Sequence, residues 1–202
     1  MILKWDGTFW AAQAISTTAA LYGIWGSDVN HIWAVGTSSV MANWNGTTWA
    51  VHVSPVTPNF YSAGGTSASN VWAVGDTGTI LNWNGTSWVN QTLVASSWLH
   101  DVWAVDPNNV WAVGDLGKIA KWNGTAWVDQ VGVTSQPLRG VWGSDANNVW
   151  AVGKLGAIEK WNGTTWTVQA SGTTQTLWDV WGTGASNVWA VGESGTILKY
   201  NP

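Results

Sequence analysis

One period governs this chain. The segment Trp-Ala-Val-Gly begins at Trp33, Trp72, Trp111, Trp150 and Trp189, and a second segment, Trp-Asn/Asp-Gly-Thr-x-Trp, begins at Trp5, Trp44, Trp83, Trp122 and Trp161. Both series advance by 39 residues with no insertion or deletion. A period of this size marks a solenoid, a propeller or an array, built from a supersecondary unit that cannot bury its apolar face alone.

Within one unit the chain reads as four strands: Leu138 to Trp142, Asn148 to Val152, Ala157 to Trp161 and Thr165 to Gln169. The turn Gly143-Ser144-Asp145-Ala146-Asn147 separates the first two. Asn162-Gly163 is expected to form a two-residue hairpin with both residues at positive φ. No window carries a helical apolar period. Four short antiparallel strands per repeat is the content of a propeller blade. An open stack needs polar end caps, and neither end of this chain is more polar than its middle.

The expected fold class is therefore all-β, a five-bladed β-propeller forming one domain over 1–202. Its units fall at about 21–59, 60–98, 99–137, 138–176 and 177–202, the last completed by 1–20. Five units leave seven residues over, and the surplus is a duplicated strand: Ile2-Leu3-Lys4-Trp5 returns as Ile197-Leu198-Lys199-Tyr200. The ring is expected to close by pairing of its terminal strands. The N-terminal copy is expected to hold the contested place, because Trp5 fits its column better than Tyr200. The displaced copy leaves an unpaired edge, so a monomer with some tendency to strand-swapped dimers follows.

Nineteen of the 21 Trp fall in four fixed columns, and a residue that recurs at one point of every unit reads as packing between blades. Gly64 interrupts the column of Trp25, Trp103, Trp142 and Trp181, which predicts local underpacking or filling by Phe60 or Tyr61. Trp98 and Trp178 lie outside every column. The positions equivalent to Trp178 are Tyr22, Tyr61, His100 and Arg139, aromatic or cationic throughout yet varied. Variation within a rigid repeat is what a binding surface looks like. These six residues are the candidate ligand-binding set.

The unit Leu-Trp-Asp-Val-Trp-Gly-Thr-Gly-Ala-Ser-Asn-Val-Trp-Ala-Val-Gly-Glu-Ser-Gly-Thr-Ile-Leu-Lys-Tyr, residues 177–200, resembles the repeats of BNR-like propellers. It looks most like those of the photosystem II assembly and stability factors. Where that family has the turn Asp-Gly-Gly-x-Thr-Trp, this chain has the shorter Asn-Gly-Thr-x-Trp. The resemblance implies that the first strand of each unit lies nearest the axis. Loops between second and third strands, and between units, then share one face. That face would carry Trp98, the Tyr22/Tyr61/His100/Arg139/Trp178 column and the loop column Asp76/Asp115/Lys154/Glu193.

The chemistry of a sialidase is missing, since its carboxylate clamp needs several arginines and this chain has only Arg139. Asp101 and Asp179 are the acids expected near the axis, as isolated solvated residues rather than a glycosidase pair. His31, His52 and His100 occupy three different points of the repeat and suggest no shared metal set. Asp28, Asp106 and Asp145 read as Asx-turns rather than calcium ligands. No enzymatic activity, cofactor or metal is expected. A net charge of -4 argues against nucleic acid. No apolar run approaches a membrane span and no signal-peptide pattern follows Met1; a removed leader would be compatible with an extracellular or periplasmic setting.

Three functions stay open on this reading. The first is a non-catalytic module that binds a glycan or another ligand on the loop face. The second is a protein-binding assembly factor, and the third is a repeat scaffold, recently amplified or engineered, with no ligand.

Overall fold

The computed structural model describes residues 1–91 and 97–202. Among these the chain forms 21 strands in six sheets. Four sheets are complete four-stranded units. The first runs β3 (Leu21–Asp28), β4 (His31–Gly36), β5 (Met41–Trp44) and β6 (Trp49–His52). The second runs β7 (Phe60–Ser67), β8 (Asn70–Gly75), β9 (Ile80–Trp83) and β10 (Trp88–Gln91). The third runs β11 (Leu99–Asp106), β12 (Asn109–Gly114), β13 (Ile119–Trp122) and β14 (Trp127–Gln130), and the fourth β15 (Leu138–Asp145), β16 (Asn148–Gly153), β17 (Ile158–Trp161) and β18 (Trp166–Val168). A hairpin of β1 (Ile2–Trp5) and β2 (Trp10–Gln13) precedes them, and a three-stranded sheet of β19 (Leu177–Gly184), β20 (Asn187–Gly192) and β21 (Ile197–Lys199) follows.

Each unit is an antiparallel meander, and the first strands of successive units lie side by side along the axis. The architecture is thus propeller-like, as the repeat implies, but the ring is not closed. β1 pairs only with β2 and β21 only with β20. The expected closure by terminal strands is corrected by this pairing. So is the choice between the duplicated strands, because Ile197, Leu198 and Lys199 pair with Val191, Ala190 and Trp189. The short local connection from β20 to β21 decides the contest over the better-fitting but distant Trp5.

The tryptophan columns make the junctions between units. Trp111 of β12 meets Trp161 and Trp166 of the next unit, each at 5.2 Å, the second edge-on at 89°. Trp72 meets Trp122 and Trp127 in the same way, and Trp33 meets Trp83 and Trp88. Edge-on and tilted contacts of this kind are the favoured geometry of ring quadrupoles. Burying one indole contributes about 4–5 kcal/mol as an upper bound. Lysines of the third strand cover the same rings: Lys121 Nζ lies 4.9 Å from the Trp111 centroid and Lys160 Nζ 5.0 Å from that of Trp150.

Two local expectations change. The turn between third and fourth strands spans four residues, not two, with Trp161 paired to Trp166. Asn162 Oδ1 accepts from the backbone N–H of Thr164 and Thr165 at 3.0 Å each, while Gly163 alone takes positive φ, at 99°. Asn caps and Gly turns, so the pair divides the work that a two-residue hairpin would ask of both. Gly64, for its part, leaves no void and is not filled by Phe60 or Tyr61. A Cβ there would meet the Val102 carbonyl oxygen at 2.6 Å, because the third unit's first strand closes directly on it. Where the column does hold Trp, the ring needs a small residue in the next unit. The Trp25 ring would lie 3.0 Å from a Cβ on Gly65, and the Trp142 ring 2.8 Å from one on Gly182. Gly64 has no ring to accommodate, and its counterpart in that series is Ala104 rather than glycine.

Candidate functional site

The site column is built by a bulge. Register between the first two strands skips a residue twice in every unit, once beside the turn and once at the start of the first strand, where Leu21/Gly23, Phe60/Ser62, Leu99/Asp101, Leu138/Gly140 and Leu177/Asp179 are the flanking pairs. The residues skipped at that start are Tyr22, Tyr61, His100, Arg139 and Trp178. A bulge leaves one residue out of the ladder and re-aims its side chain. Here it does so five times, at the mouth of the axis, beside the loops that join second to third strands.

The result is a continuous row. Tyr22 and Tyr61 stack at 5.8 Å, and Tyr61 lies 5.8 Å from His100 and 6.0 Å from Trp98. Arg139 donates to His100 Nε2, and its guanidinium sits 6.0 Å from the Trp178 ring. The row therefore contains all six sequence-selected residues. Trp98 and Trp178 are each half-exposed.

The loop column completes the electrostatics. Tyr61 Oη donates to Asp76 Oδ1 at 2.5 Å; burial, with that carboxylate next to it, pushes the phenol up to about 12. His100 Nε2 lies 2.8 Å from Asp115 Oδ1, with Arg139 Nη2 3.7 Å from the same oxygen. Burial lowers the His100 pKa, against the pull of Asp115, and so favours the neutral ring. A neutral ring nitrogen can accept from Arg139 or donate to Asp115, but it cannot do both at once. Arg139 is thus shared between partners rather than fixed to one.

Trp98 is positioned by its backbone. Asp115 N–H donates to the Trp98 carbonyl at 2.9 Å. That approach requires Gly114, since a Cβ there would stand 2.0 Å from the same oxygen. Next to it opens a hollow of ≈ 530 Å³ lined by Ser97, Trp98, Asp115, Leu116, Pro137, Arg139 and Lys154. Leu116 and Leu155 belong to this face, and sequence reasoning did not single them out. Both are exposed, at φ of 60° and 55°. Left-handed backbone is unusual for leucine, and an apolar side chain held there in solvent is a functional signal. Neither signal is visible before the turn geometry is known.

Asp101 is not the solvated residue expected. Its Oδ1 accepts from Ser62 Oγ at 2.6 Å and from Val102 N–H at 2.9 Å, and its Oδ2 from Val141 N–H at 2.8 Å. One carboxyl group ties together three units at the axis. Desolvation, with Asp179 adding like charge, pushes it up to about 7. The Asx-turns stand as expected: Asp28, Asp106 and Asp145 each accept from the backbone N–H two residues on. Among the described residues, no helix is long and apolar enough to cross a membrane.

Fold and face together define an all-β repeat protein of propeller type, with a bulge-built row of aromatic and cationic side chains along one face. No protein-family model and no curated protein matches the chain. Solved structures do. YCF48 bound to a D1 peptide is 21% identical with a TM-score of 0.75, the match covering 98% of this chain and 68% of that one. YCF48 from Cyanidioschyzon merolae is 19% identical at TM-score 0.70, covering 94% and 69%. The WD40 β-propeller domain of Doa1 is 9% identical at TM-score 0.78, covering 94% and 68%. At these identities the likeness is one of fold, and at that level it bears out the resemblance to photosystem II assembly-factor propellers. It lends no particular support to the BNR-like half of that resemblance.

Proposed function

We propose that the chain is a non-catalytic protein-binding module which takes an extended peptide segment across the face row. The observation that carries this reading is the fivefold bulge, which delivers an aromatic or cationic side chain at every step along the axis mouth. A peptide laid along it would meet rings at Tyr22, Tyr61, Trp98 and Trp178, with Arg139 and Lys154 available to an acidic group. Arg139, shared between His100 and Asp115, can turn to a ligand without leaving either of them buried and alone. That one of the similar propellers holds a peptide supports a protein partner; the comparisons offer no support for the glycan expectation. A non-catalytic role fits the commitment of Asp101 to three donors from three units, which makes it a structural tie at the axis.

The test is selection of a random peptide library on the immobilised chain, with Trp98→Ala/Arg139→Ala protein as counter-target. Enrichment of sequences that bind the parent at least tenfold better is expected (about 1.4 kcal/mol). A library that yields nothing, or binders indifferent to both substitutions, sinks the reading and returns the ligand-free scaffold.

A further inference from the structure

The turn between third and fourth strands repeats one chemical arrangement in four units, away from the face row. Asn45, Asn84, Asn123 and Asn162 are exposed, and each is followed by glycine. The Asn Oδ1 accepts from the backbone N–H groups two and three residues on, at 2.9 to 3.0 Å. In three of the turns the hydroxyl of Thr86, Thr125 or Thr164 donates to the same oxygen at 2.8 Å. These bonds fold the carboxamide forward over the peptide unit that joins Asn to Gly. The glycine N–H of that unit has no acceptor among the described residues.

Glycine is enforced at this point. Its φ is 94°, 95°, 97° and 99° in chain order, a left-handed backbone that side chains resist. A Cβ on Gly46, Gly124 or Gly163 would also stand 2.5, 2.6 or 2.7 Å from Oδ1 of Asn30, Asn108 or Asn147. The fold therefore keeps beside each Asn the one residue whose amide nitrogen no side chain shields.

We propose that these four Asn-Gly turns are sites of self-modification, the turn's own donors promoting loss of ammonia from the Asn side chain. The glycine nitrogen gives its proton to solvent base and bonds to Asn Cγ, and the carbonyl electrons shift onto Oδ1. The N–H groups and the Thr hydroxyl receive that charge as an oxyanion hole does. The electrons return, the Cγ–Nδ2 bond breaks, and Nδ2 leaves as ammonia with a proton from solvent. Water then opens the cyclic imide, so one Asn and one water give one aspartate or isoaspartate and one ammonia. The hairpin β1–β2 shows that such a turn holds aspartate: Asp6 Oδ1 accepts from the N–H of Thr8 and Phe9 at 2.8 and 2.9 Å. Isoaspartate instead adds a backbone atom between paired strands, as between Trp44 and Trp49. Four conversions would double the net charge of -4.

The test is incubation of the folded 202-residue chain in mildly alkaline buffer beside the synthetic hexapeptide Trp-Asn-Gly-Thr-Ala-Trp, which copies residues 122–127. Peptide mapping by mass spectrometry follows each Asn. A rigid fold ordinarily slows this chemistry; here all four turn Asn should convert at least as fast as the hexapeptide. Asn108 and Asn147, each followed by Asn, should stay intact. Thr125→Ala removes one donor and should slow Asn123 about threefold or more against the other turns of the same molecule, and Thr125→Ser should restore it. Turn Asn that persist in the folded chain after the hexapeptide has converted overturn the proposal. So does a Thr125→Ala protein in which Asn123 keeps pace with Asn84 and Asn162.

Discussion

Tryptophans of one chain carry unequal weight according to what their rings meet. Trp111 is walled by Trp161 and Trp166 and has no exposure, so Trp111→Ala should cost about 3–5 kcal/mol through the cavity it leaves. Trp150 lacks the second of these partners and already borders a hollow, so its removal should cost less. Trp178→Ala, at a half-exposed ring, should cost under about 1 kcal/mol. Urea midpoints of the three variants check the order; equal losses would refute the division into junction and face residues. Asp101 sets a pH dependence of opposite sign to the usual carboxylate. Its folded pKa lies above the ordinary aspartate value of 3.8, at about 7, so the folded state holds the proton more tightly. That contribution is complete below about pH 4 and is lost as pH rises toward 7. The lowered His100 works the other way near its own range, so the comparison must be with Asp101→Asn. Whatever its absolute cost, that variant should lose the decline between pH 4 and 7 seen in the parent's denaturation midpoint. An unchanged slope would show that Asp101 stays ionised at the axis.

Strands and turns were legible in the sequence to the extent that they repeat. The 39-residue period supplied the meander, and the invariant Trp columns supplied the junctions. The candidate column came from its variability. What the period could not reveal is why that column faces outward. A bulge depends on pairing between strands, and nothing in Leu99-His100-Asp101 announces that His100 drops out of register. The Gly64–Ala104 correspondence is readable in principle, since both depart from their columns, but it acquires meaning only once the rings are seen to reach into the next unit. The turns after the second strands were similarly hidden, because Thr77, Leu116, Leu155 and Ser194 are two hydroxyl and two leucine side chains, none of a type that favours left-handed backbone, yet all take positive φ. Leu116→Gly therefore isolates the turn from the site. Glycine relieves the left-handed strain and offsets it with a looser unfolded chain, for a net change within about 1 kcal/mol. If Leu116 belongs to the peptide face, the same variant should weaken selected peptides at least tenfold (about 1.4 kcal/mol). Intact binding with unchanged stability would leave the exposed leucine without a role on that face.

An arc of repeats distributes its stability differently from a closed ring. Each interior unit is held on two sides, the hairpin β1–β2 and the sheet β19–β21 on one. In a quasi-one-dimensional array the free energy of opening is the unit's own stability plus its junctions, so it should rise from the ends toward the middle. Native-state hydrogen exchange in increasing denaturant should show β1–β2 and β19–β21 opening first, with the amides of β12 and β16 requiring the largest free energy. Asp101 sharpens the contrast, because its bonds to Ser62 and Val141 couple the second, third and fourth units at the axis. Uniform opening of all units would mean that the junctions are strong enough to make the arc a single cooperative body, and the gradient would have to be given up.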